Sequence, residues 1–465
     1  MTEALSPGLM AFAVGMQDRP VVPDGWDMVL NLSQPAVRSL VWRNWDGAMG
    51  AGDRDRPLLW VAPGEVEGQH DIVVVRSALP RPAVRLNPEN HAVDLHFGID
   101  TGTLRVGKVS AALLRGMPDR RALVDHDAVA WAAPVAITPQ DPLQLTGSLP
   151  VTAGLVTGAG PDSGAGGRGF SIGLALTDPP FVLSGMQNGL LSDALNQPLQ
   201  GWVAAQHLSG QIGMIALPDG RGPTVLTPTT VSARVATASD GQPVLQILTG
   251  ASFGAAVPAM GAPAPSPDAH DFSLMVSSKA TMAMIASGYN LGRGVVKLVS
   301  VPPEDGQPHW FAQVHQPMVF EGRFGNQNGE IYLTDRASFT MGFGGSTDTG
   351  LTLFTRTDPA STVRLELDLA AQYPVAISGI GEGQVVGLRD GSQSVTGDGF
   401  YEAIVKPQLE AFLYGDIRTD MAQVRMTALS DLVLKDLTLS GHGLLFETAA
   451  LPAELLVTGR LIPTA

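Results

Sequence analysis

Residues 24–45 read DGWDMVLNLSQPAVRSLVWRNW, an alternation that turns into a stripe. Side chains on a strand alternate with a period of two, so Trp26, Met28, Leu30 and Leu32 share one face and Asp27, Val29 and Asn31 the other. Ser33 then suits a helix N-cap, and Pro35 is tolerated in the first turn. Val37, Leu40, Val41 and Trp45 recur at helical spacing and predict an amphipathic helix. Residues 270–289, HDFSLMVSSKATMAMIASGY, repeat the grammar. Phe272, Leu274 and Val276 alternate, Ser277 or Ser278 caps, and Met282, Ile285 and Tyr289 form the stripe. At an offset of 244, Asp27 meets Asp271, Leu30 meets Leu274, Ser33 meets Ser277 and Ala36 meets Ala280. These identities, with their shared punctuation, predict an internal duplication.

Two more helices are expected at residues 192–207, with Leu195, Leu199, Trp202 and Val203, and at residues 398–413, with Tyr401, Val405, Leu409 and Phe412. Pro198 and Pro407 predict a kink or a late start in each. Strands are expected elsewhere, among them residues 70–79, 127–137, 361–370 and 431–448, which are β-branched or alternating. Residues 255–270, AAVPAMGAPAPSPDAH, have no periodicity and read as a linker. The expected division is therefore a first module at 1–256, a linker at 257–269 and a second module at 270–465. Each module runs strand, helix, many strands, second helix, more strands.

That order resembles the TULIP superfamily, the tubular lipid-binding proteins. More specifically, GWDMVLNLSQPAVRSLV at residues 25–41 resembles the N-terminal signature of the OrfX-type proteins encoded beside clostridial neurotoxins and in insecticidal toxin clusters. Those proteins begin with a Gly-Trp-Asp motif, a short strand, a Ser and a Val-containing helix. FSLMVSS at residues 272–278 is similar to the start of their later module. The resemblance implies an α+β fold of two TULIP-like modules, each a long, strongly twisted antiparallel sheet rolled around amphipathic helices. It also implies an elongated apolar groove for lipid and carries no catalytic residues. The residues expected to face such a ligand are those of the two stripes: Val37, Leu40, Val41, Met282, Ile285 and Tyr289. Without a ligand the same residues are core.

Composition narrows the function classes. A length of 465 residues suits two or three domains, and 44% hydrophobic residues supply real cores. Gly 54 and Pro 35 suit many turns between many strands. A formal net charge of −15, with no basic run, argues against nucleic acid and against electrostatic attraction to an anionic membrane. The absence of cysteine excludes disulfides, thiolate catalysis and Cys-ligated metal. The opening MTEALSPGLMAFAVGM has no base before its apolar run, a poor secretory signal, and no stretch suits a transmembrane helix. The expectation is a protein made in the cytoplasm, with release left open and no integral membrane segment.

Three motifs bear on catalysis. Asp-Thr-Gly occurs at Asp100 and at Asp348, the pairing an aspartic peptidase uses, but it is also good hairpin-turn chemistry. GFSIG at residues 169–173 fits G-x-S-x-G, yet a nucleophile elbow needs a helix after Ser171 and a strand-like run follows. None of the nine histidines forms H-E-x-x-H; His91 and His96, five apart on a strand, face opposite ways, while Glu89 and His91 share a face. The tryptophans Trp26, Trp42, Trp45 and Trp60 read as core anchors, or as an exposed aromatic patch. The sequence thus predicts a non-enzymatic binder of a lipid or other elongated apolar small molecule, without cofactor or metal, as an accessory component of a bacterial toxin system with other proteins of a toxin complex as partners. The alternatives are a scaffold or chaperone-like component binding another protein, and a hydrolase resting on Asp100 with Asp348 or on Ser171.

Overall fold

A computed structural model describes Phe12 and residues 26–48, 58–77, 80–117, 119–157, 168–175, 182–184, 211–217, 226–251, 264–289, 295–301, 309–315, 338–342, 350–353, 367–388, 393–397, 423–451 and 454–463. The fold is mostly β, and the described strands form antiparallel sheets. The largest-spanning of these sheets joins both halves of the chain. Its six strands are β1 (Met28–Ser33), β2 (Pro228–Thr237), β3 (Pro243–Ala251), β4 (Phe272–Val276), β5 (His442–Ala450) and β6 (Leu455–Pro463), in the order β2-β3-β1-β4-β6-β5. Helix α1 (Gln34–Ala48) follows β1, and helix α2 (Ser278–Tyr289) follows β4.

The duplicated units meet at the centre of this sheet. Strands β1 and β4 run antiparallel with Leu30 opposite Leu274. The same two residues are equated by the sequence offset, so the pair lies on a local two-fold axis and the contact is self-complementary. The backbone bonds obey that symmetry. Ser33 N–H donates to the Asp271 carbonyl and Ser277 N–H to the Asp27 carbonyl, both at 2.9 Å. Asp27 N–H donates to Thr249 and Asp271 N–H to Gly459, both at 3.0 Å. Each aspartate carboxylate then closes the end of its outer neighbour: Asp27 accepts from Ala251 N–H at 2.7 Å and Asp271 from Leu461 N–H at 2.9 Å. The predicted caps form as well. Ala36 N–H donates to the Ser33 hydroxyl at 3.3 Å and Ala280 N–H to the Ser277 hydroxyl at 3.1 Å, supplying acceptors that the first helical turn lacks.

Both faces of the shared sheet are buried. Met28, Leu30, Leu32, Phe272, Leu274 and Val276 point into the main core, where α1 and α2 lie. Val29, Leu248, Met275, Leu456 and Ala450 form a second apolar cluster on the opposite face, and Phe12 packs on it. Trp26 belongs to this second cluster, not to the face of Met28 and Leu30 as its parity predicts, because it precedes the strand and is freed from its alternation. Beside the second cluster, one polar row crosses all six strands: Arg234, Gln246, Asn31, Ser273, Thr458 and Thr448, each opposite the next. Arg234 donates to the Gln246 carbonyl at 2.8 Å, Gln246 to Asn31 at 3.0 Å and Asn31 to the Ser273 hydroxyl at 3.2 Å. Ser273 donates on to the Pro265 carbonyl at 2.5 Å, so the end of the Pro/Ala/Gly-rich segment is fastened to the sheet. A buried polar row is tolerable only when its members satisfy one another, and a one-residue slip of any strand would leave several unpaired.

A second, seven-stranded sheet covers α1 from the other side. It includes Ala83–Asn87, Ala92–Ile99, Leu143–Thr157, Arg168–Leu174 and Gln211–Ala216. Polar side chains of α1 hold its edges: Gln34 accepts from Leu86 N–H at 3.1 Å, the Trp42 indole donates to Pro82 at 2.7 Å, and Asn44 donates to Gln211 at 3.0 Å. The β5 edge of the six-stranded sheet is closed similarly. The Gln384 amide donates to Phe446 O at 3.0 Å and accepts from Phe446 N–H at 2.8 Å, which denies that edge to another strand.

Three local expectations are corrected. Residues 431–436 read as strand but form a π-helical turn, Asp431–Asp436, after the short helix Thr427–Ser430. Leu432, Val433 and Leu434 are all buried there, a continuous apolar run that periodicity alone does not resolve. The Asp100-Thr101-Gly102 stretch is not a hairpin. It is a corner at which the chain leaves the seven-stranded sheet at Ile99 and enters a different, five-stranded sheet at Gly102. Gly102 has φ 136°, and a Cβ there would strike the Arg76 carbonyl. His91 is not on a strand but in the turn before Ala92–Ile99, at φ 51°. The expected helices at 192–207 and 398–413, and Asp348, lie outside the described residues.

Candidate functional site

The predicted ligand-facing stripe of α1 lies in the apolar interior between α1 and the two sheets. Its lining is made by α1's stripe and by alternate residues of the facing strands. Trp45, fully buried, packs on Phe97 with ring centroids 4.9 Å apart, an aromatic contact worth roughly 0.5–1.5 kcal/mol beyond burial alone. Beside this pair is a crevice lined by Val41, Asn44, Trp45, Pro82, Leu95, Phe97, Leu174 and Ile212. Its volume is about 20 Å³. That is on the order of one water, against the roughly 300–1,000 Å³ of small-molecule sites.

Of the residues expected to face a ligand, Val41 borders this crevice. Val37 and Leu40 are buried in the same core cluster and join its wall to the shared sheet. Ile285 lies in that cluster from the side of α2. The side chains of Met282 and Tyr289 lie outside the described residues, although both belong to α2. Sequence reasoning missed the strand contribution, Leu95, Phe97, Leu174 and Ile212. The alternation of AVDLHFGI at residues 92–99 carried part of that signal.

Of the catalytic motifs, the Asp100 and Asp348 pair cannot be followed because Asp348 lies outside the described residues, and the serine motif does not form an elbow. Ser171 sits inside the strand Arg168–Leu174, paired on one side with Gly154 and on the other with Met214. No strand-to-helix elbow is present around it. His91 is a structural anchor whose Nδ1 meets the Val235 carbonyl at 2.8 Å. Among the described residues, no three of His, Asp and Glu are grouped to hold a metal ion. Likewise, no described helix is long and apolar enough to cross a membrane.

Two buried carboxyls flank the local two-fold. Burial pushes the Asp27 carboxyl up, opposed by the Ala251 N–H, the Lys279 charge and the Ser277 hydroxyl. Glu454, immediately before β6, is 2% exposed. Its Oε2 has no hydrogen-bond partner among the described residues. Burial raises its pKa to about 8.

A capped amphipathic helix between two antiparallel sheets, with a second capped helix following the paired strand of the shared sheet, is an arrangement with counterparts among solved structures. P47 of Clostridium botulinum E1 superposes with a TM-score of 0.52 at 10% identity, over 94% of this chain and 99% of that one. P47 from Clostridium botulinum A2 gives 0.54 at 10% identity, over 94% and 98%. Lipopolysaccharide binding protein aligns with a TM-score of only 0.34. No family model and no curated protein matches the sequence. The resemblance to the P47 proteins therefore holds at the level of the fold.

Proposed function

We propose that the protein binds a lipid or other elongated apolar ligand without chemical turnover, as an accessory component of a bacterial toxin system. The observation that supports this best is the crevice beside α1. Asn44 is the sole polar residue among its eight lining residues, so the site offers shelter from water and no reacting group. Each methylene sheltered there would gain about 0.8 kcal/mol. The likeness to P47 supports the fold this reading requires and the toxin-cluster setting. Admission of an acyl chain requires Trp45 or Phe97 to turn aside, after which Val37, Leu40 and Val41 become channel wall. In this proposal Met282, Ile285 and Tyr289 do the same in the second module, and residues 257–269 join two modules, each a long sheet rolled around its helices.

The small crevice volume favours a second reading. An interior this full behaves as a packed core, which suits a scaffold that binds another protein by its surface. Native mass spectrometry of the purified chain, followed by solvent extraction and lipid analysis, separates the two. Stoichiometric co-purified lipid supports the first. A clean apo mass, with no uptake from mixed-lipid vesicles, overturns it in favour of the scaffold.

A further inference from the structure

The outer face of the seven-stranded sheet carries a groove of about 600 Å³, within the range of small-ligand sites and unlike the apolar crevice in chemistry. Its floor is a register of three strands. Arg85 stands opposite Asp94, and Asp94 opposite Ser148. One step along, His96 stands opposite Thr146.

Asp94 is fixed before any ligand arrives. The Ser148 hydroxyl donates to its Oδ1 at 2.6 Å, and the Asn87 amide donates to its Oδ2 at 3.0 Å. The carbonyl of that same Asn87 amide accepts from Glu89 N–H at 3.1 Å and Asn90 N–H at 3.3 Å, which locks the turn at the end of the groove. The bond from His91 to Val235 fastens the turn to β2. Such support is what holds a recognition group in a productive geometry. Each carboxylate oxygen retains a further lone pair.

Among the described residues, the donors around it are uncommitted. Arg85 lies across from Asp94, yet its guanidinium makes no ion pair or hydrogen bond among the described residues. The His96 ring and the Asn90 carboxamide, both lining the groove, make none either. One anchored acceptor and three free donors therefore meet over one cavity. Opposite residues on paired strands stand roughly 5 Å apart, so a positive and a negative group are presented together. A fully deprotonated inorganic anion would leave the anchored Asp94 carboxylate without a donor, and a neutral sugar would leave the guanidinium unmatched. A simple cation would meet Arg85.

We propose that this groove binds a small hydroxylated carboxylate, of the sugar-acid class, with its carboxylate on the planar fork of Arg85 and its hydroxyls on Asp94, His96 and Asn90. The test is calorimetric titration of the full chain with D-glucuronate and with D-glucose, which has a hydroxymethyl group in place of the carboxylate. Glucuronate is expected to bind about ten-fold or more tightly than glucose. Arg85→Gln removes that preference with thermal unfolding unchanged, and Asp94→Asn weakens both sugars. Absence of heat for glucuronate up to about 10 mM overturns the proposal, leaving Arg85 and Asp94 as a solvated strand face. A glucuronate preference that survives Arg85→Gln overturns it equally. Neither outcome bears on lipid co-purification, so the two proposals stand or fall separately.

Discussion

The two strand–cap–helix units at the centre of the molecule use the same backbone bonds and differ in what fills the space beside them. In the first, Met28 faces Thr249 across the β1–β3 pair. In the second, Phe272 faces Gly459 across β4–β6. The larger ring is matched by the loss of a side chain opposite, and Phe272 also meets the Phe446 ring edge-on at 6.4 Å. At the outer end of the first unit, Val244 faces Ser33. At the corresponding place in the second, beside the Leu455–Val276 pair, stands the buried Glu454. Divergence has thus preserved the hydrogen-bond pattern, while individual side chains have changed in size and polarity.

The volume difference gives the largest expected effect. A Cβ at Gly459 would overlap the Leu445 carbonyl and lie 2.7 Å from the Phe272 ring. A backbone atom offers no rotamer escape, so Gly459→Ala should cost about 3 kcal/mol or more in urea unfolding, at or above the usual range for overpacking. Thr249→Ala, its counterpart, should cost about 1 kcal/mol. Equal losses would break the pairing of Phe272 with Gly459.

Glu454→Val imports the residue of the first unit. The folded pKa of Glu454, about 8, lies above its ordinary 4.5, so the native state holds this proton more tightly than the unfolded chain. Its contribution is full below the unfolded value and is lost as pH rises toward 8. The variant should gain about 3 kcal/mol at pH 7 and show a flatter stability profile between pH 4.5 and 8 than the parent chain. Melting temperatures across that window decide it, and parallel profiles would mean that the carboxyl is solvated.

The aspartates test whether burial or the bond itself matters. Asp27 is buried and Asp271 only half-buried. Asp27→Ala should cost about 2 kcal/mol, leaving Ala251 N–H without its acceptor, and Asp271→Ala about 1 kcal/mol. The caps come last: Ser33→Ala should cost about 1 kcal/mol, and Ser277→Ala more than that, because its buried hydroxyl also supports the Asp27 carboxyl. Chemical denaturation of the four variants measures all of these.

The sequence made the local grammar of this fold legible and left its long-range pairing hidden. Ser33 and Ser277 were readable as caps because a period of two gives way to a helical stripe at each. The linker's composition was readable too, but not that Pro265 would accept a hydrogen bond from Ser273. Nothing in MVLNLS and FSLMV says that these segments pair with each other, because antiparallel partners carry no address beyond their apolar faces. The offset of the duplication hints at it, since it equates Leu30 with Leu274, the residues that stand opposite each other in the sheet. Trp26 misled because alternation was extended one residue beyond the strand. The Arg85–Asp94 groove went unnoticed because alternating polar residues on AVRLN and AVDLHFGI read as an ordinary solvated face. Of the ligand-facing stripe, Val37, Leu40, Val41 and Ile285 were legible as buried, but the space beside them is set by strands distant in sequence.

The reciprocal seam also sets a timetable for biogenesis. When β1 leaves the ribosome its inner neighbour does not exist; β4 is finished only at Val276, and β6, which completes the second unit, only at Pro463. At roughly 5–20 residues per second, on the order of tens of seconds separate the two sides of the β1–β4 pair. For that interval the leucine-rich edge of β1 is a template without a partner. Until β4 emerges, the inner edge of β1 must therefore be kept from pairing elsewhere.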